Sequence, residues 1–297
     1  MGQKDIAEKI LFDYDDVFSD IINALLYNGN QVLTPDSLSN VTVHSQYKDE
    51  KERLHEQERD VAKVWKDNNV QIALFGIENQ SSVEKYLPLR VIGYDGANYK
   101  EMHRKYTEEK AGKKALSPVI TIVLYFGTKR WRTDKNLAGL LSVPEELRDY
   151  FNDYKINVVE VSWLSEEQIR LFRSDFKIVA NFFVKKRIDR NYIPDDKTEI
   201  KHVDALLKLL SVMGHDKEYK EIAKKGSKRK VKNMCEVAQR LIKKGKIEGK
   251  IEGKIEGKIE LLVDLVNDQI ISFSEASKRA NMSEEEFRKK IMEMEKN

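Results

Sequence analysis

The sequence predicts an α/β domain over residues 1–200, a mixed sheet covered by helices on both faces, followed by an all-helical tail. Three observations carry that prediction. A helix-spaced apolar pattern opens the chain. Short β-branched runs then alternate with helical segments up to about residue 195, where Tyr192-Ile193-Pro194-Asp195-Asp196 punctuates the chain. From residue 200 onward every periodic segment has the helical period.

Residues 4–28 place Ile6, Ile10, Tyr14, Val17, Phe18, Ile21, Ile22 and Leu25 at three-and-four spacing, which makes an amphipathic helix. Asp13, Asp16, Asp20 and Asn23 form a stripe roughly opposite its apolar face. The plain reading is a solvated acidic surface; the sharper one has Asp20 or Asp16 bordering a cleft. Asn28-Gly29-Asn30 breaks this helix. Alternation of Val41, Val43, Ser45 and Tyr47 predicts a first strand, and the charged residues 48–58 predict a loop or a short helical connection. Two strands near 59–65 and 70–79 follow, joined by the polar turn Lys66-Asp67-Asn68-Asn69.

After Ser81-Ser82, a helix N-cap signal, a helix runs to about Glu108, with Pro88 near its start and Gly93 and Gly96 weakening it. Lys110 to Lys114 is a polar loop. Pro118 through Phe126 is a buried central strand. Trp131 to Ala138 is irregular, Pro144–Tyr150 a short helix, and Asn157 to Val161 another strand. Ser165 and Gln168 make a capping box that opens a long helix to about Lys186.

Beyond the α/β domain the expected organisation is a basic helical extension over 201–245, a Lys-Ile-Glu-Gly repeat over 246–260, and a small helical tail over 261–297. A four-residue period sets each Ile on one slowly drifting stripe and each Gly on another. The repeat reads as length-variable sequence rather than a spacer or a self-association stripe. The tail predicts three short helices, with Ser272 and Ser283 as N-caps. Helix-turn-helix spacing fits it, but Glu284, Glu285, Glu286 and Glu293 oppose insertion into DNA, so a protein-contact or oligomerising role is expected.

Charged residues are 35% of the 297, well above the usual share. Residues 224–260 hold thirteen Lys/Arg against five Glu, a local +8; with the chain at +3, the remainder is −5. That asymmetry suggests a polyanion partner, with Lys224, Lys225, Lys228, Arg229, Lys230 and Lys232 as its candidate contacts. Cys235 is the sole cysteine, so neither an intrachain disulfide nor a cysteine-rich zinc module is available, and the five histidines show no ligand spacing. No run nears the ~20 apolar residues of a membrane span, and the N-terminus lacks a signal peptide's apolar core. A cytoplasmic protein is expected.

The residues with chemistry to offer are in the two-strand segment. Glu78 and Gln80, at i and i+2, share one face of a strand, and Asp60 on the neighbouring strand can join them. Two carboxylates at such a distance suit a hard cation such as Mg²⁺, with Mn²⁺ as the alternative. The bland reading is a surface hairpin with charged ends.

These residues resemble the PD-(D/E)xK nuclease superfamily, and closely its Rpn branch of recombination-promoting nucleases, also described as transposase-like. The match is carried by Asp16 to Asn23, Arg59-Asp60, Gly76 to Ser81, Pro88 to Asp95, Pro118 to Gly127 and Ser174-Asp175-Phe176. The resemblance implies a restriction-endonuclease-like core with Asp60 and Glu78 as the metal pair. It puts Gln80 at the third catalytic position and Asp20, with Asp16 as alternative, as the helical acid. Gln80 departs from the lysine of the wider superfamily. Lys63 is a candidate substitute cation, and Arg59, Arg90 and Tyr94 are candidate supporting residues. The implied function is a Mg²⁺-dependent DNA endonuclease of low sequence specificity that promotes recombination or mobile-element movement, without a small-molecule cofactor. The alternative is an inactive nuclease-fold module that binds DNA or assembles with itself through the C-terminal helices.

Overall fold

In the computed structural model the described residues are 11–41, 44–48, 54–58, 61–67, 70–108, 116–214, 217–225 and 231–294. The chain divides into two compact units, Met1–Cys235 and Glu236–Asn297.

The first unit is built on a sheet of five strands. Helix α1 (Asp15–Leu26) precedes β1 (Leu38–Asn40), and β2 (His44–Lys48) pairs antiparallel with β3 (Leu54–Glu58) in a separate two-stranded ladder. Then come β4 (Val61–Asp67), β5 (Val70–Gln80), α2 (Leu87–Glu108), β6 (Val119–Tyr125) and β7 (Asn157–Glu160). The order is β1-β4-β5-β6-β7; the first two pairings are antiparallel and the last two parallel. Helices α3 (Glu166–Arg170), α4 (Phe176–Ile188), α5 (Val203–Met213) and α6 (Lys217–Lys225) complete the unit.

Successive strand residues point to opposite faces, so the register sorts the sheet into two sets. Val61, Lys63, Phe75, Ile77, Ile122 and Leu124 share one face, and Ala62, Val64, Leu74, Gly76, Glu78, Gln80, Thr121, Val123, Tyr125 and Glu160 the other. The first face meets α1 and α4: the Lys63 ammonium lies 5.7 Å from the Phe18 ring centroid, and Phe126 packs edge-on to Phe183 at 5.0 Å. The second is covered by α2, whose Leu87 and Val91 join Val123, Tyr125, Trp131 and Ile156 in one buried cluster. Asp95 of α2 accepts a 2.6 Å bond from the Thr121 hydroxyl and another from the Tyr154 hydroxyl, which fixes the helix over the sheet.

Four expectations are corrected. Residues 54–58 are a strand, because ladder pairing uses the backbone and tolerates the charge that had suggested a loop. The helix after Ser81-Ser82 begins only at Leu87, with Pro88 in the first turn, where its missing N–H is not needed. The single helix expected from Ser165 is two, α3 and α4, although its capping box is present. At the break the amides of Arg173 and Ser174 turn to the Asp20 carboxylate. The helix expected at Pro144 is a 3₁₀ turn over Glu145–Tyr150. The polar loop expected at Lys110 to Lys114 lies outside the described residues.

The second unit holds all but the first two residues of α7 (Met234–Asn267), with α8 (Phe273–Ala280) and α9 (Glu284–Met294); the first short helix expected in the tail is the end of α7. Helix α7 runs unbroken through the repeat, and a methyl added at Gly249, Gly253 or Gly257 would meet no atom within 4 Å beyond its own stretch of helix. Those glycines therefore answer no steric demand among the described residues. Ile259 and Leu262 pack with Ala276 and Phe287 in the unit's core, and both expected N-caps, Ser272 and Ser283, are made.

Candidate active site

The three parallel strands end side by side, with Gln80 in register with Tyr125 and Tyr125 with Glu160. In open α/β sheets ligands bind outside such carboxyl ends. Glu78 lies one alternation back from that row and is 3% exposed. A carboxylate so buried needs a charged or hydrogen-bonding partner. Arg90, in the first turn of α2, supplies it: Nη2 donates to Glu78 Oε1, while Nη1 donates to Glu84 Oε2 at 2.9 Å. The Gln80 amide approaches the same Glu78 oxygen at 3.4 Å. Burial alone would lower the Arg90 pKa; the charges of Glu78, Tyr94 and Glu84 outweigh it and hold the guanidinium above its ordinary range. Arg90 is cationic at any working pH.

Glu78, Gln80, Arg90 and the buried Tyr94 are therefore gathered on the α2 face of the sheet. Glu84 joins them without having been anticipated. It stands in the irregular connection before α2, six residues from Arg90, and no periodicity links the two. Arg59 and Asp60 lie outside the described residues, as do Lys228, Arg229 and Lys230. Val61 pairs with Ile77, and Asp60 and Glu78 are their immediate chain neighbours.

The other expected site residues are held elsewhere. Lys63 is on the opposite face, fully buried, and gives its protons to Asp13 O at 2.7 Å, Asp15 Oδ1 at 2.5 Å and Asn40 Oδ1 at 2.8 Å. It does not serve as the substitute cation beside Glu78. Asp20 is 4% exposed, and its carboxylate accepts the amides of Arg173 at 2.9 and 3.0 Å and of Ser174 at 2.8 Å. Asp16 pairs with His202 Nε2 at 2.9 Å and Lys201 Nζ at 3.4 Å. Desolvation works to raise the Asp16 pKa, but the His202 and Lys201 interactions prevail and lower it. Of the basic segment, Lys224 and Lys225 end α6 and Lys232 is exposed.

No group of three or more His, Cys, Asp or Glu residues with metal-ligand geometry occurs among the described residues. The donors that are described at the site, the Glu78 carboxylate and the Gln80 amide, are oxygens of the kind Mg²⁺ prefers. That donor chemistry fits a hard divalent ion.

A mixed five-stranded sheet flanked by helices, with acidic and amide side chains at the carboxyl edge, defines a restriction-endonuclease-like α/β fold. The family described as "Putative transposase, YhgA-like" matches residues 53–218, more than half of the chain, and the chain belongs to that family. Neither a curated protein nor a solved structure matches it. Among the described residues, no helix is long and apolar enough to cross a membrane.

Proposed function

We propose that this protein is a metal-dependent DNA endonuclease whose reaction centre lies at Glu78. The observation that carries the reading is the buried Glu78 carboxylate at the carboxyl edge of a restriction-endonuclease-like sheet, faced by Gln80 and Arg90, in a transposase-like family. Glu78 and Asp60 would hold Mg²⁺, which lowers the pKa of a bound water and neutralises charge on a phosphodiester. Arg90 supplies what the missing lysine does not: a permanent cation with a planar fork of donors suited to phosphate oxygens. Gln80 carries no charge, so its part is to orient a water or donate to the phosphate. Burial of Glu78 and Tyr94 keeps bulk water from the inner side of the cluster and strengthens these interactions.

Plasmid nicking with Mg²⁺ or Mn²⁺ tests the proposal. Nicking should stop with EDTA and fall at least ~100-fold in Glu78→Gln and Asp60→Asn, more than loss of an outer ligand-orienting partner costs. Metal-independent nicking, or nicking indifferent to both substitutions, would overturn the assignment. A second reading, a DNA-binding module that does not cut, is favoured by one feature: Arg90 already neutralises Glu78. It gains the field if duplex DNA binds with strong salt dependence and no metal yields a nick.

A further inference from the structure

Two strands from Gln80, a second cationic cluster lies on the same carboxyl edge. Trp163 closes the 3₁₀ turn Val161–Trp163 that follows β7. Arg130 lies 4.1 Å from its ring centroid and Arg187, from the last turn of α4, lies 3.8 Å away. Distances that short require each guanidinium to stack over the ring rather than meet its edge. Two guanidinium planes cannot share one indole face within that radius, so the indole is sandwiched. Arg130 also donates to Glu160 at 3.2 Å, and Lys135 stands 4.0 Å from the same carboxylate.

We propose that this Arg130–Trp163–Arg187 stack is a seat for the phosphodiester backbone of the DNA strand whose scissile phosphate lies at Glu78; the inference rests on the endonuclease reading. Position is the first argument. Gln80, Tyr125 and Glu160 stand in one row across three parallel strands, and at ~4.8 Å per strand Glu160, to which Arg130 of the stack donates, stands about 10 Å from Gln80. A nucleic acid strand crossing the carboxyl edge from Glu78 toward β7 would run over it.

The donor inventory is the second. Arg187 spends only Nε, donated to Ser162 O at 2.7 Å, and its two terminal nitrogens make no hydrogen bond to a described residue. The Arg130 side chain is 52% exposed and donates one N–H, from Nη1 to Glu160. A fork stacked on an aromatic is already oriented, so it loses less rotamer freedom when a phosphate binds. Local charge is the third. Lys129, Arg130, Arg132 and Lys135 face only Asp134 within residues 129–135. That excess belongs to the sheet edge, distinct from the basic segment 224–260.

The test is fluorescence anisotropy with the full chain and a labelled duplex of about 20 base pairs, in EDTA so that nothing is cut. Neutralising two phosphate contacts should lower the slope of log K against log salt by about two. The double variant Arg130→Gln/Arg187→Gln is therefore expected to show that loss, with affinity at least ~10-fold weaker near 0.1 M salt and an unchanged circular dichroism spectrum. Wild-type affinity and slope in the double variant would overturn the seat. Should that variant fold poorly, Arg130→Gln alone must lower the slope by about one; an unchanged slope there overturns it equally. Failure of the nuclease reading looks different: wild type would not nick with any metal, yet the double variant would still lose its salt slope. Intact nicking together with intact binding in the variant sinks the seat alone.

Discussion

The two faces of the central sheet each bury a cation against a carboxylate, and they do it differently. On the α1 face, Lys63 is 0% exposed and its three ammonium protons meet three acceptors, Asp13 O, Asp15 Oδ1 and Asn40 Oδ1. On the α2 face, the Arg90 side chain is 28% exposed, bridges Glu78 and Glu84, and leaves Nε without a partner among the described residues. A saturated ammonium locks a helix to a strand and has nothing left to offer a ligand. A partly exposed guanidinium, spanning two acids and still holding donors, can transfer some of its bonds to a phosphate. The difference separates scaffold from site more sharply than burial does.

The largest effect should come from breaking the saturated face. Lys63→Met leaves three acceptors without their donor, and since breaking a buried pair costs about 3–5 kcal/mol, a loss of about 3 kcal/mol is expected with Asp15 half-exposed. Denaturant unfolding measures it, and a loss below about 1 kcal/mol would mean that the network is incidental. Next, Asp20→Ala frees the amides of Arg173 and Ser174; about 2 kcal/mol is expected, with faster hydrogen exchange confined to residues 171–175. A comparable loss of nicking with no such exchange change would return Asp20 to a catalytic role.

On the α2 face the ranking inverts. Glu78→Gln should cost less than about 1 kcal/mol, because Arg90 keeps Glu84 and solvent, while nicking collapses. A stability loss as large as that of Lys63→Met would erase the contrast. The smallest effect is at Asp16. Its folded-state pKa is lowered, so its contribution is present above its unfolded value, about 3.9, and disappears as pH falls through the lower folded value. Asp16→Asn should therefore flatten the decline in stability below about pH 4, which denaturant unfolding across that pH range measures.

Much of this was legible in the chain. Apolar periodicity located α1, β5 and β6, and i,i+2 spacing put Glu78 with Gln80, because strand and helix periods are local properties. What could not be read depends on which face a side chain takes once strands pair. Lys63 is three residues past Asp60 in the chain, and one step of register separates the two faces of a strand. Arg90 and Glu84 could be joined only by knowing where α2 starts, and Pro88 moved that start later than the serine caps suggested. The split between α3 and α4 was hidden for a related reason: its cause, Asp20, is about 150 residues away in the chain (|i−j| = 153 to Arg173).

The uninterrupted α7 carries a quantitative implication. At 1.5 Å and 100° per residue, one added Lys-Ile-Glu-Gly unit would lengthen the helix by about 6 Å and turn everything after it by about 40°. Because each unit spans four codons, gain or loss of whole units preserves the reading frame. An added methyl at Gly249, Gly253 or Gly257 would meet nothing within 4 Å beyond its own stretch of helix, so no packing contact at these glycines opposes such a change. A change of copy number would therefore alter the length of α7 in steps of about 6 Å without altering a single residue of the sheet.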